Sequence, residues 1–65
     1  MKELIINYLS DLKNKNRDIH DLIEKFHIKS NEFTSFMKLL NSLEEEKLIA
    51  RNQKNEYYLL NQLHY

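Results

Sequence analysis

The chain has 65 residues, with ten Lys and Arg against ten Asp and Glu, 42% hydrophobic residues, and no Cys, Gly or Pro. That length supports one small hydrophobic core, and the absence of cysteine excludes a disulfide framework and a thiolate metal site. No apolar run approaches the ~20 residues that span a bilayer. Met1-Lys2-Glu3 does not open a signal peptide, so a single cytoplasmic domain over residues 1–65, with no membrane partner, is expected.

Leu4, Ile5, Tyr8, Leu9 and Leu12 recur at helical spacing, with Glu3, Asn7 and Ser10 opposite, which predicts an amphipathic helix over residues 2–13. Lys13-Asn14-Lys15-Asn16-Arg17 breaks the pattern and reads as a solvated loop, although its cations could contact a nucleic-acid backbone. Asp18 can cap a second helix with Asp21 in its first turn and Ile19, Leu22, Ile23 and Phe26 on its buried stripe. It ends near His27, and Ile28-Lys29-Ser30 makes a tight connection without a glycine.

Ser30 or Asn31 caps a third helix ending around Glu46 or Lys47. Phe33, Phe36, Met37, Leu40 and Leu43 share one face of it, while Asn31, Ser35, Lys38 and Ser42 face away. Residues 48–52 and 56–60 read as two short strands joined by Gln53-Lys54-Asn55, where Asn55 can take the left-handed conformation of a tight turn. In strand geometry Tyr57 and Leu59 alternate with Tyr58 and Leu60, so one pair faces the core and the other outward; an outward Tyr57 would stack on a base or cover the tail or a neighbouring domain.

Three helices followed by a hairpin, with the second and third helices joined by a short turn, predict a mainly α chain of winged helix-turn-helix type. A three-helix bundle is the alternative, and it leaves Tyr57, Tyr58, Leu59 and Leu60 without a role. Leu59, Leu60, Leu63 and Tyr65 leave apolar groups at the end of the chain, where polar residues are usual. That tail either folds back on the first helix or packs on something further.

Arg17-Asp18, the run Asp21-Leu22-Ile23-Glu24-Lys25-Phe26-His27-Ile28, the segment from Leu39 to Ile49 and Glu56-Tyr57-Tyr58-Leu59-Leu60 carry a resemblance. Together they resemble the N-terminal helix-turn-helix domain of ribonuclease R-type 3′→5′ exoribonucleases, over about two thirds of the chain. Members of that family generally carry Gly where this chain has Lys47, and often Pro where it has Asn61. The resemblance implies an N-terminal fragment of a longer hydrolase, with cold-shock, nuclease and further RNA-binding domains downstream as its partners.

His20, Glu24 and His27 stand at helical offsets of four and three, but zinc wants three or four ligands and the remaining histidine, His64, lies on the tail. A solvated flank is the expectation, with no cofactor and no metal. No triad or paired-carboxylate motif is present, and without glycine there is no phosphate loop. The chain is therefore expected to bind rather than catalyse.

Nucleic-acid binding needs cations on one surface and groups that reach bases. In a winged helix the third helix and hairpin tip project to one side, which makes Lys29, Asn31, Ser35, Lys38, Arg51, Gln53 and Lys54 the candidate site. Glu32 and Glu45 lie nearby, and only one cation is central to the helix, so binding should be weak and salt-dependent. Three functions are consistent with this. The first is an accessory RNA-binding domain of a ribonuclease R-like exoribonuclease that helps hold or open structured RNA. The second is a small regulator reading duplex DNA through Asn31, Ser35 and Lys38, and the third is a protein-interaction module.

Overall fold

The computed structural model describes residues 1–63. In chain order it has α1 (Lys2–Ser10), α2 (Ile19–Lys25), a 3-10 turn (Ser30–Glu32), α3 (Phe33–Glu45), β1 (Ile49–Arg51), β2 (Tyr57–Leu59) and a second 3-10 turn (Leu60–Leu63). The fold is thus mainly helical with a small antiparallel hairpin, in which Ile49 pairs with Leu59, Ala50 with Tyr58 and Arg51 with Tyr57. Among the described residues, no helix is long and apolar enough to cross a membrane.

One cluster forms the core. Ile5 and Leu9 enter it from α1, Leu22 from α2, Phe36, Leu40 and Leu43 from α3, and Ile49 and Tyr57 from the hairpin. Burying each such side chain contributes about 1.5–3 kcal/mol, so a three-helix core closed by two hairpin residues is the main source of stability. The expected stripes are narrower than their apolar residues suggest. Leu4 and Leu12 are 55% and 56% exposed, and Phe33 is 43% exposed.

The first helix stops at Ser10 instead of residue 13. Asp11 leaves the helical region (ψ 102), and its Oδ1 accepts from the Lys13 N–H at 3.0 Å. Asn14 Oδ1 accepts from the Asn16 N–H at 3.0 Å in the same way, so two side chains bonded two residues onward turn the segment away from helix. The Tyr8 hydroxyl holds the loop to α1 by donating to the Asn16 carbonyl at 2.6 Å, and its ring meets Phe26 edge-on at 5.7 Å.

Arg17 corrects the solvated-loop reading: it is 1% exposed. Its guanidinium donates to the carbonyls of Asn14 (2.9 Å), Tyr57 (3.1 Å), Leu9 (2.7 Å) and Asp11 (2.6 Å). The Arg17 carbonyl accepts from the Tyr57 N–H at 2.9 Å, and the guanidinium lies 4.3 Å over the Tyr58 ring. Gln62 completes the arrangement, its Nε2 donating to Leu9 and Ser10 carbonyls at 2.9 and 3.3 Å. The last carbonyls of α1, orphaned by the helix end, are therefore satisfied from two distant segments. Gln62 also brings the tail back onto α1; Tyr65 and His64 lie outside the described residues.

The other helix ends follow from local geometry. Asp18 caps α2 as expected, accepting from the Asp21 N–H at 2.9 Å while Asp21 reaches back to the Asp18 N–H. After α2 and after α3, His27 (φ 53) and Lys47 (φ 63) take the left-handed conformation usually given to glycine. In both, the next N–H closes a six-residue loop: Ile28 to the Ile23 carbonyl and Leu48 to the Leu43 carbonyl, each at 3.0 Å. These are Schellman ends, with an apolar residue (Ile28, Leu48) at the position after the left-handed one. The third helix is not capped by the side chain of Ser30 or Asn31. Its entry is the 3-10 turn, in which Glu32 Oε1 accepts from the Lys29 N–H at 3.1 Å.

Candidate nucleic-acid interface

The sequence-derived candidates fall into two groups and one exception. Asn31 sits in the 3-10 turn and Ser35 and Lys38 one turn apart on α3, all exposed. Around them, Thr34, Asn41 and Ser42 are exposed too, so the outer side of α3 from 34 to 42 presents hydroxyls, an amide and one ammonium with no carboxylate among them. Lys29, at the entrance to the turn, is exposed, and the neighbouring Glu32 is engaged by its backbone.

Gln53 and Lys54 form the exposed hairpin tip, whose shape comes from Asn52. Asn52 Oδ1 accepts from the N–H groups of Lys54 (2.9 Å) and Glu56 (3.0 Å), and its Nδ2 donates to Glu56 Oε1 at 2.9 Å. Asn55 takes the left-handed conformation anticipated for it, at φ 62, and its N–H bonds the Asn52 carbonyl at 3.1 Å. A type I turn followed by a left-handed residue is the usual three-residue hairpin connection.

Arg51 is the exception. Its Nε lies 3.3 Å from Glu44 Oε1, a contact that is an ion pair without hydrogen-bond alignment, and its guanidinium lies 5.9 Å from the Tyr57 ring centroid. It ties the hairpin to α3 and is already partnered. Glu46 is likewise engaged, 3.8 Å from Lys2 Nζ, which leaves Glu45 as the acid at the exposed end of α3. Exposed pairs of this kind contribute about 0–1 kcal/mol.

Tyr57 does not offer a stacking surface. It is 2% exposed, and burial pushes its phenol above the ordinary 10.0, with the Arg51 cation opposing and Glu44 adding to the rise. The alternation places Tyr57 and Leu59 on the core side with Ile49, so Tyr58, partly buried under Arg17, is the residue on the outer face. Lys47 was not among the candidates, yet it lines the groove beside β1 with Arg51 and Asn52. Its place after Glu44, Glu45 and Glu46 concealed it, and nothing in that run marks the left-handed turn its backbone makes.

His27 has left the helix, so the i+3 spacing that would align it with Glu24 does not hold. Among the described residues no three metal-capable side chains gather. No protein-family model, no curated protein and no solved structure matches the chain.

Proposed function

We propose that this chain is a winged helix-turn-helix module that binds RNA through the outer side of α3 and the hairpin tip, without catalysing a reaction. The observation that carries this reading is the acid-free exposed side of α3 from Thr34 to Ser42, centred on Lys38, in a chain that is 31% charged. Hydroxyls, an amide and an ammonium are the groups that contact phosphate and sugar oxygens.

Two further features support the fold half of the proposal. The second and third helices are joined by a short turn, and the hairpin follows the third helix directly. Arg17, between α1 and α2, pairs through its backbone with the outer edge of β2, as the short first strand of a winged helix does. The resemblance of residues 17–60 to the ribonuclease R N-terminal domain favours RNA as the ligand and an accessory role in a larger exoribonuclease.

The test is fluorescence anisotropy with single-stranded RNA, duplex RNA and duplex DNA at low salt. If Lys29, Lys38 and Lys54 each neutralise one phosphate, log K falls against log salt with a slope of about −2 on single strands. Lys38→Glu and Lys54→Glu each weaken binding to all RNA sequences alike, because phosphate contacts carry no sequence information. Tighter binding to duplex DNA with sequence preference would replace RNA as the ligand. No binding to any of the three at low salt would overturn the proposal.

A further inference from the structure

Phe33 opens α3 and is 43% exposed, although its spacing with Phe36, Met37 and Leu40 is that of an inward face. It belongs neither to the core cluster nor to the half-buried residues packed against that cluster. Singly exposed apolar residues are ordinary on protein surfaces, so exposure alone assigns it nothing. The other aromatic side chains among the described residues are all engaged: Tyr8 meets Phe26 edge-on, Phe36 and Tyr57 are in the core, and the Arg17 guanidinium lies over the Tyr58 ring. Phe33 is thus the one exposed ring among the described residues.

Its surroundings single it out further. Offsets of four and eleven residues put Met37 and Glu44 within about 40° of Phe33 around α3. Glu44 meets Arg51 of β1, so this flank is the one the hairpin leans against, about 16 Å along the helix from Phe33. On its other side Phe33 borders the acid-free outer side of α3, where Thr34 and Asn41 are nearest to it around the helix. Two cations bracket it in sequence, Lys29 four residues before and Lys38 five after, both exposed and neither in an ion pair among the described residues. The two acids nearby are engaged, Glu32 by the Lys29 N–H at 3.1 Å and Glu44 by Arg51.

We propose that Phe33 is a stacking platform for an unpaired base of single-stranded RNA, whose flanking phosphates go to Lys29 and Lys38. The inference rests on the RNA reading above and deepens it, because it names the form of RNA the surface takes. A cationic track with an aromatic ring set into it holds single strands without reading their sequence. A base inside a duplex is stacked on both faces and cannot reach the ring, so the platform separates single strands and loops from duplex RNA. A strand laid in the angle between α3 and the hairpin has Phe33 at one end and the hairpin at the other, with Thr34, Lys38 and Asn41 along its side. The stacking role considered for Tyr57, which is buried, falls to Phe33 instead.

The experiment is fluorescence anisotropy at low salt with three labelled probes: oligouridylate, an abasic oligomer of the same length and charge, and duplex RNA. Phe33→Leu keeps an apolar side chain but has no ring face, and its urea midpoint beside that of the unaltered chain checks the fold. It weakens oligouridylate binding at least about fivefold and leaves the slope of log K against log salt unchanged, because no phosphate contact is lost. The abasic oligomer and duplex RNA bind Phe33→Leu as they bind the unaltered chain. Phe33→Trp retains the affinity for oligouridylate, and its indole, in a chain that otherwise has none, changes its fluorescence as a base stacks on it. Oligouridylate bound equally by Phe33→Leu and the unaltered chain overturns the inference and leaves the RNA reading standing. An equal loss on all three probes makes Phe33 a structural residue and overturns the inference as well. No binding of any probe by the unaltered chain overturns the inference together with the reading it rests on.

Discussion

Arg17 Nη2 lies 2.7 Å from the Leu9 carbonyl oxygen, so the cation at the negative end of α1 comes from the following loop. The last turn of α1 has no basic residue of its own. The same guanidinium reaches the Tyr57 carbonyl, and one side chain thereby fastens the end of a helix to a strand forty residues onward. Neither ion pair among the described residues involves Arg17; its buried charge rests on carbonyl dipoles and the Tyr58 ring.

Replacing Arg17 should be the most damaging single change outside the apolar core. Arg17→Met keeps much of the volume but strands the buried Tyr57 carbonyl, leaves the Leu9 carbonyl to Gln62 alone and hands the exposed Asp11 carbonyl to water; an unsatisfied buried group costs about 1–3 kcal/mol. Against a total stability of about 5–15 kcal/mol, the variant should show a clearly lowered midpoint in urea titration followed by circular dichroism. Arg17→Lys restores a charge but cannot reach the carbonyls in fork geometry, and falls between the two. A loss below about 1 kcal/mol for Arg17→Met would show the network to be dispensable.

Lys47 predicts the opposite sign. A non-glycine residue in the left-handed conformation costs about 1–2 kcal/mol, and glycine removes that cost at the expense of some unfolded-chain entropy. Lys47→Gly should therefore stabilise the chain by about 1 kcal/mol and raise Tm by about 4–8 °C. His27→Gly should act in the same direction at the end of α2. Lys47→Val, β-branched in the same conformation, should destabilise; an unchanged Tm across this series would refute the assignment of strain to φ 63.

The helices and the hairpin were legible because apolar spacing reports directly which residues face inward. Phe36, Leu40 and Leu43 stand at the helical period and are all buried. Arg17 was not legible, since it closes a run of Lys and Asn whose local pattern is that of solvent, and its partners lie on segments far away in sequence. The phase of Tyr57 against Tyr58 was left open by alternation alone. It is settled by the register, in which Leu59 pairs with the buried Ile49 and so puts Leu59 and Tyr57 on the core face, which no local pattern contains. Of the candidate site, the polar residues of α3 and the hairpin tip are exposed as expected, whereas Arg51 is drawn to Glu44, a partner hidden in an acidic run.

Stability should fall at both extremes of pH for different reasons. The Asp18 carboxyl is held below its ordinary 3.8 by the Asp21 backbone N–H first of all, with burial opposing and the Asp21 side chain and His20 assisting. A depressed folded value means this contribution is present above pH 3.8 and lost as the pH falls below it. Tyr57 is raised above 10.0, so its contribution is complete below pH 10.0 and lost as the pH climbs further, where the unfolded phenol ionises and the folded one does not. Urea midpoints measured against pH should lose the acid step in Asp18→Asn and the alkaline step in Tyr57→Phe. Unchanged profiles in both variants would sink the assignment.

Glu44 makes the proposed RNA surface adjustable. Its carboxylate holds Arg51 at 3.3 Å, withdrawing from the hairpin the cation adjacent to the acid-free tip. Glu44→Gln removes that competitor while keeping the side chain's length. Freed, Arg51 can take a phosphate oxygen, so affinity for single-stranded RNA at low salt should rise severalfold and the salt slope should steepen by about 0.7. Folding stability should change little, because a partly exposed pair contributes about 0.2–1 kcal/mol. Arg51→Gln alone should leave RNA binding near its starting level, since in the unaltered chain Arg51 is committed to Glu44, while the double variant should lose the gain. A Glu44→Gln chain with unchanged affinity and slope would mean that Arg51 does not face the ligand, and would confine the RNA surface to α3 and the hairpin tip.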